Sequence, residues 1–143
     1  MLRAVLDVGQ YVSATVRGNG HPTQILARWS EGEFELHVSI PILNDLQRVL
    51  GYPHLRKRHQ WNDDEIDLLV VSLARAAQLT KGELEVNAVK DDPTDNKILA
   101  CAKEGQVNYI VSSDEHLTTM ENFEGIPIVK PRRFLEILNQ QKS

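Results

Sequence analysis

Short runs of apolar and β-branched residues recur at 3–8 (RAVLDV), 34–38 (FELHV), 84–89 (LEVNAV), 108–112 (NYIVS) and 126–129 (IPIV), and each predicts a strand. Between them, apolar positions take helical spacing over 21–30, 40–50, 63–79, 94–104 and 131–140. Strands that alternate with helices require crossovers, and crossovers make a largely parallel sheet covered on both faces. The pattern predicts one α/β domain over residues 1–143, an α/β/α sandwich around five strands. In such folds ligands bind beyond the carboxyl ends of the strands.

That rule collects a set of acids. Asp7 ends the first predicted strand, Asp91, Asp92 and Asp95 follow the third, and Asp114 follows the fourth. Asp45 needs a helical argument. The stripe over 40–50 is Ile42, Leu43, Leu46, Val49 and Leu50. At about 100° per residue Asn44 falls nearly opposite it and Asp45 on its border, where it can face a cleft. Carboxylates held close together repel, so such a cluster either raises its pKa values or binds a cation. The five histidines show no HxxxH spacing, and Cys101 is the only cysteine, so oxygen ligands and Mg²⁺ or Mn²⁺ are predicted rather than zinc.

Each acid also has a plain structural reading. Asp92, Pro93, Thr94 and Asp95 make a good helix start without any chemistry. Ser113 or Asp114 can cap a short helix reaching Met120, and Asp45 can be a solvated helix residue. Asp7 is harder to explain so, because it follows Ala4, Val5 and Leu6, where an unpartnered carboxylate near the core is costly.

Composition narrows the partners. A net charge of −4 argues against coating nucleic acid through bulk electrostatics. The densest local basic patch, HLRKRH at 54–59, offers Arg56, Lys57 and Arg58 to RNA phosphates, with Trp61 as a stacking face. Its alternative is a solvated connection between helices. A second patch is Lys130, Arg132 and Arg133. No run approaches the roughly 20 apolar residues of a membrane span, and RAVLDV lacks a signal-peptide core, so a cytoplasmic protein is expected. Cys101, among Ile98, Leu99 and Ala102, reads as a buried small hydrophobe.

RAVLDVGQYVSA, SIPILNDLQRVLGYPHL, DDPTDNKILACA, NYIVSSDEHL and IPIVKPRRFLEIL together resemble the PIN-domain ribonucleases, in particular the toxin components of toxin/antitoxin pairs. The match is most specific at Asp95, Ile98 and Ala102, followed by a strand ending in Ser-x-Asp. The resemblance places the family's four acids on Asp7, Asp45, Asp95 and Asp114, with Asp92 as an additional acid and Ser112 as the hydroxyl that supports the fourth. It implies a five-stranded parallel sheet, a Mg²⁺ or Mn²⁺ ion on Asp7, Asp95 and Asp114, cleavage of single-stranded RNA, a homodimer and an antitoxin partner. The chain departs from the pattern at three points. Val8 and Gly9 replace a Thr-Asn pair that helps hold the first carboxylate, Asp45 replaces a Glu, and His116 stands where a further acid is frequent. The expectation is therefore a ribonuclease of weakened activity, with a binding module of the same fold as the alternative.

Overall fold

In the computed structural model, which describes residues 1–89 and 92–142, the first apolar run forms β1 (Arg3–Leu6) and the chain turns at Asp7 into α1 (Val8–Arg17). There follow α2 (His21–Ser30), β2 (Glu35–Ser39), α3 (Ile40–Leu50), α4 (Pro53–His59), α5 (Asp63–Ala76) and β3 (Gln78–Thr80). The second half holds α6 (Pro93–Gly105), β4 (Tyr109–Val111), α7 (Glu115–Thr118), β5 (Asn122–Phe123), β6 (Ile126–Val129) and α8 (Pro131–Lys142). The sheet order is β3-β2-β1-β4-β6-β5. Every pairing is parallel except β5 with β6, so a two-residue antiparallel strand joins five parallel strands, the number that the pattern predicts.

β1 lies in the middle, and Ala4, Val5 and Leu6 are fully buried, as expected of a strand covered on both faces. α6 packs on β1 and β2 through Ile98, Leu99, Cys101 and Ala102. Thr80 Oγ1 donates to Cys101 Sγ at 3.7 Å, and burial pushes the thiol up to about 11, in keeping with a packing role. No described helix is long and apolar enough to cross a membrane.

The structure corrects three expectations. The third strand is Gln78–Thr80, not 84–89, and the helix predicted to reach 79 stops at Ala76. LEVNAV alternates as a strand would, but its Leu84, Glu85, Asn87 and Ala88 are exposed and it pairs with no described strand. The basic segment 54–59 is α4, a helix rather than a loop. Val8, predicted to end the first strand, begins α1. Asp91 lies outside the described residues.

Candidate metal centre

Leu6 pairs with Val111, so the residues that follow β1 and β4, Asp7 and Ser112, meet at the carboxyl edge of the sheet. Ser112 is fully buried there. Its hydroxyl donates to Asp7 Oδ2 and accepts the Asp114 N–H at 2.9 Å, tying two of the predicted acids to one side chain. Asp7 also caps α1, its Oδ1 accepting the Gln10 N–H at 3.1 Å. Burial raises the Asp7 pKa and the nearby Asp114 adds to the rise, while hydrogen bonds from Ser112 and Gln10 pull it back.

The N-terminus of α6 supplies the next acids. Asp92 caps the helix, with Oδ1 accepting the Asp95 N–H at 3.2 Å. Burial pushes Asp92 up, but hydrogen bonds from Asp95 and His116 outweigh it and its pKa is lowered. Asp95 is only 3% exposed, and its Oδ2 has no hydrogen-bond partner among the described residues. Burial, followed by the neighbouring Asp92 and Asp114, pushes the Asp95 carboxyl up to about 8.

Asp92, Asp95, Asp114 and His116 each offer one ligand atom, all within 4.8 Å of one another. His116 Nδ1 lies 3.4 Å from Asp92 Oδ2, 3.7 Å from Asp95 Oδ2 and 3.9 Å from Asp114 Oδ1. Its hydrogen bond to Asp92, then the charge of Asp114, raises the imidazole pKa. Asp7, Asp95 and Asp114 all line one cavity of about 880 Å³. These residues fit a hard divalent cation. Three carboxylates stand together with a buried oxygen that accepts no hydrogen bond, an arrangement that is costly unless a proton or a cation completes it.

One residue of the site escaped the reading of the sequence. Gln10, 3% exposed, lines the cavity, donates from Nε2 to Ser113 Oγ at 3.2 Å, and leaves Oε1 without a partner. A signal was present, because Asp7 with Gln10 three positions on is the spacing of an N-cap and its reciprocal partner.

The sequence profile of the PIN domain matches residues 3–116. The chain belongs to the PIN-domain family. In this PIN domain the matched span contains all the acids described and ends at His116. The fold is similar to that of VapBC2 from Rickettsia felis, solved bound to a DNA fragment from their promoter. The TM-score is 0.61 and the identity 12%, over 90% of this chain and 98% of that one. No curated protein matches the chain at a significant level.

Two groups of expected site residues lie elsewhere in the PIN domain. Asp45 is buried, but its carboxylate accepts from Lys97 Nζ at 3.0 and 3.1 Å and from Arg48 Nη2 at 3.2 Å, and it does not line the cavity. Border position was enough to bury it and not enough to bring it to the cluster. Arg56, Lys57 and Arg58 lie on α4 and do not line the cavity either. Arg56 is occupied by Asp63 and by the Gly51 carbonyl at 3.0 Å.

Proposed function

We propose that this PIN domain is a divalent-metal-dependent ribonuclease that cuts single-stranded RNA as the toxin of a toxin/antitoxin pair. The observation that carries this reading is the buried Oδ2 of Asp95, which accepts no hydrogen bond among the described residues, within a group of three carboxylates at the carboxyl edge of a parallel sheet. Asp92, Asp95 and Asp114 would hold Mg²⁺ or Mn²⁺, with Asp7 beside them on the cavity wall. When bound, such an ion supplies Lewis acidity toward a phosphodiester and lowers the pKa of a water. Ser112 and the Gln10 N–H fix the Asp7 carboxylate, so that it orients the attacking water rather than turning away. His116 lies against all three acids, where a protonated imidazole would offset their charge. The antitoxin partner is supported by the likeness of the fold to VapBC2, and a homodimer by the sequence resemblance.

Incubation of the purified protein with a mixed RNA pool, in Mn²⁺ or in a chelator, tests the reading. Cleavage in Mn²⁺ alone is expected. Asp95→Asn should lose more than the roughly 10 to 100-fold typical of outer partners of a metal site. Cleavage that survives the chelator or the Asp95 substitution would refute it, and intact RNA in every condition would leave a binding module.

A further inference from the structure

The cavity lined by Asp7, Asp95 and Asp114 is also edged by cations that the metal chemistry does not use. Arg17 closes α1, His21 opens α2, and Lys130 and Arg132 stand at the start of α8; all four line the cavity and all four are exposed. We infer that Arg17 and Lys130 are the backbone-phosphate grip for a single polynucleotide strand lying in this cavity, and that α4 is not. The inference rests on the nuclease reading of the same site and adds which residues hold its substrate.

Register places Lys130. Leu6 pairs with Val111 and Val111 with Val129, so Asp7, Ser112 and Lys130 are the residues that follow three adjacent strands. The Asp7 N–H bonds to the Val111 carbonyl and the Ser112 N–H to the Val129 carbonyl, which keeps the three strand ends side by side. With neighbouring strands about 4.8 Å apart, Lys130 leaves the sheet one strand from Ser112 and two from Asp7. Arg17 reaches the cavity from the other connection. It is followed by Gly18 and Gly20, whose φ values of 68° and 94° suit glycine, and these let the chain turn sharply into α2 at the cavity.

Charge supplies the second argument. A polyanion approaching a protein of net charge −4, toward a cavity lined by Asp7, Asp95 and Asp114, is repelled unless local cations offset them. Arg17 and Lys130 carry no ion pair among the described residues, so both are free to meet phosphate. Arg132 faces Glu136 on its own helix at 3.7 Å, and Arg56 is engaged by Asp63, which leaves each less available.

The test is anisotropy of a fluorescein-labelled 12-nucleotide single-stranded RNA bound to the full chain in EDTA, where no cutting occurs, titrated from 50 to 200 mM salt. For a single strand the log–log salt slope falls by about 0.7 for each phosphate that a cation no longer neutralises. Arg17→Ala with Lys130→Ala should therefore flatten the slope by about 1.4 and weaken binding about tenfold. Lys57→Ala with Arg58→Ala should change neither. A DNA strand of the same sequence should show the same change of slope, and a change confined to RNA would overturn the phosphate assignment. Wild-type protein that binds no RNA at 50 mM salt, an unchanged slope in the Arg17, Lys130 variant, or the loss appearing in the α4 variant would each overturn the inference. If melting shows the double variant to be misfolded, the single Lys130→Glu carries the same test, with a fall in slope expected and an unchanged slope overturning it. Binding that depends on Arg17 and Lys130 without any cleavage in Mn²⁺ would uphold the grip and remove the nuclease reading alone.

Discussion

At the scale of single residues, the hold on Asp7 differs from what Val8 and Gly9 predict. The sequence shows a missing hydroxyl and a missing amide beside the first acid, which implies a loose carboxylate. In the structure Ser112 and the Gln10 N–H take both oxygens, and the Gln10 side chain also lowers the Asp7 pKa. The amide is one position further along the chain, in the first turn of a helix the apolar pattern did not reveal. Restoring the missing pair is then no simple gain, because a Cβ at Gly9 would stand 3.3 Å from Asp7 Oδ1, so close that the carboxylate would have to shift. Gln10→Leu is the sharper test. It removes the buried amide without adding charge, and outer partners of a metal site commonly contribute about 10 to 100-fold in affinity. Mn²⁺ titration calorimetry should show a loss of that order in Gln10→Leu, with no gain in Val8→Thr, Gly9→Asn. Equal affinity in Gln10→Leu and wild type would mean that Asp7 needs no help from the amide.

At the scale of elements, Asp45 joins two helices rather than serving the cavity. It lies on α3, and Lys97 lies on α6, two residues after Asp95, so their ion pair fixes α3 against the helix that presents the central acid. Asp45→Glu, which lengthens the side chain, is expected to disturb this pair and not to raise cleavage. A double-mutant cycle with Asp45→Asn and Lys97→Met should give a coupling of about 1.5–3 kcal/mol, the range for hydrogen bonds to charged groups. A coupling near zero would mean that Arg48 alone satisfies the carboxylate. The pair also shows where reading the sequence stops. Helical periodicity put Asp45 on the border of the buried stripe, which is where it is, but nothing local announces a partner 52 residues away. The same limit explains α1 and β3. VGQYVSATVR is rich in β-branched residues and looks like a continued strand, while Gln78–Thr80 is three residues long and follows helix α5 with no turn signal to divide them. Asp7 and Asp114 were legible because a parallel sheet fixes where its carboxyl edge lies, whereas Asp92 and Asp95, expected after a strand at 84–89 that does not form, stand instead at the N-terminus of α6.

At the scale of the whole molecule, the site makes stability depend on pH in a direction that bound metal should reverse. Asp95 has a folded pKa of about 8 against 3.8 in the unfolded chain, so the stability its protonated form contributes is complete below 3.8 and is lost as pH rises through 8. His116 is likewise raised above 6.5, and its contribution is complete below 6.5 and lost at higher pH. Both act in the same sense between pH 6.5 and 8. His37 has the opposite sign and a different window. It is buried with neither ring nitrogen hydrogen-bonded, and burial lowers its pKa, so its contribution is present above 6.5 and is lost only as pH falls below that. Metal-free protein should therefore melt at progressively lower temperature from pH 6.5 to 8. A chain of this size loses about 3–5 °C for each kcal/mol. Asp95→Asn has no proton to lose and should flatten most of the decline. On the proposed function, millimolar Mn²⁺ would bind the deprotonated acids, so its stabilisation should grow over the same interval as the competing protons leave. Thermal melts at three pH values, with Mn²⁺ and with chelator, check all of this together. A metal-free melting temperature that rises from pH 6.5 to 8, or an Mn²⁺ effect that shrinks over that range, would show that the buried carboxylate of Asp95 is not where the ion and the proton compete.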